Sequence, residues 1–321
     1  MKSLISSAMF SSLKYQDFRM TWISNMLSGC SYWTFSVGLS WLILHETGNS
    51  TNVGIVIFAS MLPFLLVSPF AGYISDKYDR KSVAFLMYLC NSLFCFILFI
   101  FSLLNFYPLF LVISIAFILG VFRTIQEPTV SSLIPNQVPK ENLLNAITLN
   151  AATRHGSRFF GLLIGTPFIG LNILNGGQFL LLFSFLFQIV STYFIFKIKT
   201  KSVGESSSDE DIFSSIFKGI KYIYTNGLIF LIILTVAFHC AFVMSYESIM
   251  PIFANEGLND NTGKFLGYLI MMFGAGSIVG NLMLSNANNN SIKSKYFVIS
   301  AFGSGIFPMM LSYAGFLNGE L

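Results

Sequence analysis

The chain has 321 residues, of which 54% are hydrophobic and 16% aromatic, with only 10% charged and a formal net charge of +4. A soluble domain carries about 25% charged residues, so charge is too sparse here to cover a water-facing surface. The composition excludes an ordinary soluble enzyme or binding module and leaves a polytopic membrane protein.

Residues 1–15 hold a short apolar patch and no small-residue cleavage site, so no cleaved signal peptide is expected. Nine apolar runs of membrane-crossing length follow, at about 21–44, 53–74, 83–104, 109–133, 143–171, 179–196, 228–253, 265–284 and 296–316. Their length points to helices rather than barrel strands, hence to an all-α membrane bundle. With the N-terminus cytoplasmic, all 18 Lys and Arg face that side except Lys264 and the intramembrane Arg123, Arg154 and Arg158.

Between the second and third runs lies the charged hairpin Gly72-Tyr-Ile-Ser-Asp76-Lys-Tyr-Asp-Arg80-Lys81. Gly72 would admit a neighbouring helix closely, Asp76 would receive a helix N-terminus, and Arg80 and Lys81 would hold the loop at the inner surface. An ordinary positive-inside loop is the plainer alternative.

The fourth run carries Arg123 and Glu127, the fifth Arg154, His155 and Arg158, and the seventh His239 and Glu247. A charge inside a span costs about 2.5–3.5 kcal/mol on insertion scales, so each needs water, a partner or a task. Arg123, Glu127, Arg154, Arg158 and His239 are the candidates for a substrate or proton pathway. Arg123 and Glu127, four apart, are alternatively a self-neutralising pair. The arginines of the fifth run are alternatively braces capping backbone carbonyls, and His239 a packing residue. Glu127 is expected to neutralise one arginine at most, leaving a positive wall that favours an anionic substrate. Gly161 and Gly165 have the spacing of a helix contact.

Cys30, Cys90, Cys95 and Cys240 sit in apolar runs without metal-ligand or redox spacing. No basic, aromatic-interleaved patch for nucleic acid is present. Neither a Walker loop nor His-Glu-x-x-His occurs, so an enzyme is not expected and no cofactor is called for. Residues 197–227 form the one long polar connection, with a Ser-rich and acidic stretch and then an amphipathic segment from Ile212 to Tyr224. It divides the chain into 1–196, with six spans, and 228–321, with three.

Several stretches stand in a recognisable order: Trp41-Leu-Ile-Leu44, Thr47-Gly-Asn-Ser50, Leu62-Pro63, the hairpin, Leu133-Ile-Pro135, Asn145-Ala146, Phe217-Lys-Gly-Ile-Lys-Tyr222, and Met250-Pro-Ile-Phe253. Together they resemble bacterial exporters of the major facilitator superfamily, the group that includes the enterobactin exporter and macrolide-efflux-like proteins. The resemblance implies a fold of about a dozen spans, of which about nine are present here. It also implies alternating-access, proton-coupled export of a small siderophore-like or drug-like molecule across the bacterial cytoplasmic membrane. Gly72, Asp76, Arg80 and Lys81 would then form the conformational-switch loop, and Arg123-x-x-Gln126 resembles a motif linked to proton coupling. The chain departs from the family at span five, where Gly161 is followed by Leu162 and the proline is Pro167. The nine-span length favours the alternative, a non-transporting remnant or sensor that retains the fold.

Overall fold

A computed structural model of the chain describes residues 10–168, 176–202, 221–239, 241, 246–258 and 264–285, with single positions between 295 and 313. The described residues are helical with short connections and no strand. After a 3-10 turn at Ser11–Lys14 come α1 (Gln16–Thr47), α2 (Ser50–Leu66), α3 (Ser68–Lys77), α4 (Arg80–Leu103), α5 (Leu109–Leu133), α6 (Lys140–Gly165) and α7 (Gly176–Lys197). Then follow α8 (Gly227–Phe238), α9 (Tyr246–Ile252), a π-helical turn at Phe253–Gly257, and α10 (Lys264–Ser285). The chain divides into two compact units, Met1–Ser206 with Thr262–Ile278, and Ser207–Asn261 with Val279–Leu321.

In the first unit, α4, α5 and α7 are long and apolar enough to cross a membrane, and α2 with α3 make a fourth, bent crossing. The single span expected over 53–74 is broken at Val67 by 53°. Pro63 lies inside α2 and Pro69 in the first turn of α3. Each lacks an N–H and disrupts the ladder one turn back, which is the usual cause of a sharp kink. Helices α1 and α6 are more polar, yet at 32 and 26 residues they are about 48 and 39 Å long. Three helices, or four with the bent pair, thus have membrane-crossing length and apolarity among the described residues, and the expected all-helical membrane architecture holds.

The polar residues of α1 explain its low hydropathy, because they face neighbouring helices instead of lipid. The hydroxyls of Ser24 and Ser191 each donate to the other's carbonyl, at 2.8 and 2.6 Å. Ser31 donates to the Ser184 carbonyl at 2.8 Å. A Cβ on Gly38 would stand 3.0 Å from the Gly177 carbonyl. Residues 24, 31 and 38 on α1 therefore meet 191, 184 and 177 on α7. This is an antiparallel seam of small residues at seven-residue steps, the spacing of shallow left-handed pairs. Small side chains allow the backbones to close up where lipid supplies no hydrophobic drive. The other flank of α1 meets α6: a Cβ on Gly161 would lie 2.9 Å from Cys30 Cα. Gly161 and Gly165 do form helix contacts, Gly165 against Leu180 and Thr34.

The charged stretch expected as a hairpin over 72–81 is mostly helix. Gly72 and Asp76 lie on α3, Arg80 and Lys81 open α4, and only Tyr78 and Asp79 connect them. Asp79 makes the tight turn possible by capping α4. Its Oδ2 accepts from the Ser82 backbone N–H at 3.0 Å and the Ser82 hydroxyl at 2.7 Å. A Cβ on Gly72 would meet open space among the described residues, so no close helix approach is made there.

In the second unit, α8 is apolar on every side and buries none of its residues, the pattern of a helix meant for lipid or for other apolar helices. The seventh expected span, 228–253, corresponds to α8 and α9, and the eighth to α10. The amphipathic segment lies outside the described residues up to Ile220, with 221–225 helical. Most of the ninth span also lies outside them.

Candidate functional site

Helix α5 carries Arg123, Gln126 and Glu127 on successive turns before Pro128. Arg123 Nε donates to Glu127 Oε1 at 3.1 Å. The second oxygen, Oε2, lies 3.6 Å from Arg154 Nη2 on α6. One carboxylate therefore touches two arginines, and its single charge can balance only one of them. Pro135 and Pro139 lie in the six-residue connection between the two helices, and both helices contribute a charge to the pair.

Aromatic rings supplied by α1 hold the guanidinium groups flat. The Arg123 Cζ sits 3.4 Å from the centroid of Tyr32, and the Arg158 Cζ 3.6 Å from that of Trp33. Phe273 of α10 covers Arg158 as well, at 4.3 Å. The faces of the two cations are thus desolvated against π electrons, an attractive arrangement, while their edges remain available for hydrogen bonds. Tyr32 and Trp33 themselves meet edge to face at 5.1 Å. Exposure separates the arginines: Arg158 is 5% exposed, whereas the Arg154 side chain is 73% exposed.

Behind Arg123 lies a polar floor. Gln126 donates to the Ser28 hydroxyl at 2.9 Å and accepts from the Asn91 amide at 3.3 Å. A cavity of about 30 Å³ opens there, lined by Ser28, Tyr32, Asn91, Arg123 and Gln126 among others, room for a water or two. Further polar links tie α1 to α6: Asn25 to Asn150 at 2.7 Å, and the Trp22 indole to the Leu149 carbonyl at 3.0 Å.

Of the residues picked from sequence, the structure brings Arg123, Glu127 and Arg154 together and sets Arg158 one turn along α6. His239 follows α8 in the second unit and is exposed. The side chains of His155 and Glu247 lie outside the described ones. Sequence reading missed Tyr32 and Trp33, although a Tyr-Trp pair beside intramembrane arginines is the available signal.

A second cluster lies at the α3–α4 junction. Arg80 pairs with Asp76 at 3.3 Å, and its guanidinium also donates to the carbonyls of Ser75 (3.1 Å) and Ser132 (3.2 Å). Ser202, five residues beyond the end of α7, joins the cluster through every polar atom it has. Its N–H donates to Asp79 Oδ1 at 3.1 Å, its carbonyl accepts from the Arg80 N–H, and its hydroxyl meets Arg80 and Asn136. Burial alone would raise the Asp79 pKa. The Ser82 hydroxyl, the backbone N–H groups of Ser202 and Ser82, and the nearby Lys201 charge outweigh it and hold the carboxyl below the usual carboxylate range. Just before Ser202 in the chain, the N–H groups of Lys199 and Thr200 donate to Asp17 Oδ2, at 3.2 and 2.7 Å. Lys81 stands half-exposed on the first turn of α4. Sequence reading assigned roles to Asp76 and Arg80 but none to Asp79 or Ser202.

Apolar helices of membrane-crossing length packed with a polar α1, a capped and charged α3–α4 junction, and arginines on helices of the bundle define a multi-pass membrane protein of the major facilitator type. The sequence matches the transmembrane secretion effector family over residues 7–315, and the chain belongs to that family. It is 26% identical over 132 residues to the staphyloferrin A transporter of Staphylococcus aureus, covering 40% of this chain and 32% of that protein. It is 17% identical over 303 residues to macrolide efflux protein A of Streptococcus pyogenes, covering 91% of this chain and 73% of that protein. The matched region thus spans about a third of the first relative's length and about three quarters of the second's.

Proposed function

We propose that this protein is a secondary active exporter of the cytoplasmic membrane that moves a small, siderophore-like or drug-like organic molecule by alternating access. The observation that carries this reading is the shared carboxylate of Glu127 between Arg123 and Arg154. Three arginines and one carboxylate leave an excess of positive charge within two adjacent crossings. Such charge is tolerable only where water or an anionic ligand reaches it, so the substrate is anionic. Glu127 is the carboxylate in this group. A proton on it would leave Arg123 and Arg154 without their counter-charge, which couples protonation to the state of the site. The likeness to a staphyloferrin A transporter supports a small organic cargo, and that to macrolide efflux protein A supports export as the direction.

The same reading places the N-terminus in the cytoplasm, on the strength of the Lys and Arg distribution. It divides the chain into a six-helix domain at 1–196, a cytoplasmic linker at 197–227 and a C-terminal transmembrane region of three helices at 228–321. Gly72, Asp76, Arg80 and Lys81 would govern switching between inward- and outward-facing states. His239 would lie on the proton route.

Reconstitution in proteoliposomes with an imposed pH gradient tests the reading. Uptake of fluorescent anionic compounds should follow the gradient, and Glu127→Gln should remove that dependence. Gradient-driven movement of cationic dyes alone, unaffected by Glu127→Gln, would overturn both the coupling and the anion preference.

A further inference from the structure

Within the charged cluster, the two arginines bound to Glu127 are held very differently. Arg123 is only 22% exposed, is stacked on Tyr32, and sits at 3.1 Å from Oε1 in line for a charge-assisted hydrogen bond. Arg154 meets Oε2 at 3.6 Å, beyond ordinary hydrogen-bond length, and its side chain is 73% exposed. Glu127 is thus firmly tied to one arginine and loosely to the other. The loosely tied guanidinium presents its remaining N–H groups to the open side of the site. A planar guanidinium matches a carboxylate with two parallel N–H···O bonds, a fit that an amine cannot offer. The other charged or titratable groups around Glu127 do not compete for that role. Arg158 is covered by Trp33 and Phe273, and Tyr88 of α4 is fully buried.

We propose that the ligand of this site is a carboxylate that takes the place of Glu127 on Arg154, while Glu127 stays on Arg123. This rests on the reading of the cluster as the substrate site and deepens it in two ways: it names the class of anion, and it makes Glu127 a built-in competitor. A carboxylate tethered within reach of Arg154 acts at a high effective concentration. It keeps the affinity for free carboxylates low, which favours release of the cargo. Removing the competitor must therefore tighten binding, the opposite of what loss of a contact residue does.

The test is equilibrium binding to the purified full chain in lipid nanodiscs, with succinate and tricarballylate as carboxylate probes and inorganic phosphate as the control anion. Glu127→Gln should bind both carboxylates at least tenfold more tightly than the parent, and Arg154→Gln at least tenfold more weakly. Phosphate should gain little from Glu127→Gln. Glu127→Asp, which keeps the charge but draws it back by one methylene, should give an intermediate gain and serves as the measurement if Glu127→Gln fails to fold. Unchanged or weaker carboxylate binding in the folded Glu127 variants would overturn the competitor role. An equal gain for phosphate would overturn the carboxylate assignment. Binding is measured without a gradient, so a protein that gains affinity as described but moves nothing in proteoliposomes would refute export and leave the competitor role standing.

Discussion

The backbone N–H of Arg80 donates to the carbonyl of Ser202 at 2.9 Å, across 122 positions of sequence. The chain leaving α7 is therefore fastened to the junction of α3 and α4, and Arg80 does the fastening with its fork as well as its backbone. Arg80→Lys keeps the charge but cannot reach Ser75, Ser132 and Ser202 together. It should cost about 1–3 kcal/mol, since carbonyls lose charged donors. The check is thermal unfolding of the purified protein; an unchanged melting temperature would contradict this account of Arg80.

Asp79 makes the same junction sensitive to acid. Its pKa is lowered in the folded protein, so its contribution is fully present above the unfolded value of about 3.9 and is lost as pH falls through the folded value. The protection of the Ser202 and Ser82 amides, measured against an unstructured peptide at the same pH, should fall below about pH 4. Asp79→Asn should exchange fast at neutral pH and show no further acid step. Loss of protection that begins near pH 6 would point to a different group.

Asp76 lies on the exposed side of α3, with its carboxylate on Arg80 at 3.3 Å. As an exposed ion pair it adds little stability, about 0–1 kcal/mol. Asp76→Asn should leave the melting temperature within about 2–4 °C of the parent and slow transport while substrate binding stays near normal. Lost binding with unchanged transport rate constants would remove Asp76 from the switching role.

Close helix approach gives the sharpest stability prediction. A Cβ at Gly161 would stand 2.9 Å from the Cys30 backbone, and one at Gly38 2.7 Å from Leu180 Cβ. Gly161→Leu or Gly38→Leu should cost at least about 1–3 kcal/mol by overpacking. Gly276→Leu, where nothing lies within 4 Å, should be nearly silent. Ser31→Ala, which removes the donor to the Ser184 carbonyl, should cost only about 0.6 kcal/mol, the average for an interhelical hydrogen bond in a membrane. Equal losses at Gly38 and Gly276 would mean that the α1–α7 seam is not close-packed in the membrane.

Much of this architecture is written in residue types and spacings that a single sequence displays. Apolar runs mark the helices, and the four-residue step from Arg123 to Glu127 announces their ion pair. The break at Val67 was also available in Pro63 and Pro69, but a run of apolar residues continues straight through it. What periodicity cannot carry is pairing at long range. The Ser24, Ser31, Gly38 series and the Gly177, Ser184, Ser191 series are each visible as sevens, yet neither says that it faces the other. Ser202 sits in a polar tail with nothing local to distinguish it, and its partners lie in α4 and the loop after α5. Tyr32 and Trp33 read as ordinary membrane aromatics until the arginines of α5 and α6 are folded against them.

The seam between α1 and α7 also bears on how the protein is made. Ser24 reaches Ser191 only after 167 further residues have been synthesised, about 8–33 s at typical elongation rates. Throughout that interval α1 stands in the lipid with its polar face uncovered. Serine and threonine hydroxyls can meanwhile turn back onto their own helix, as Thr34 does to the Cys30 carbonyl at 2.9 Å. Asn25, whose amide finds Asn150 and Thr153 on α6, has no such internal refuge of equal quality. The polar contacts of α1 can therefore form only in order, first with α6 and then with α7.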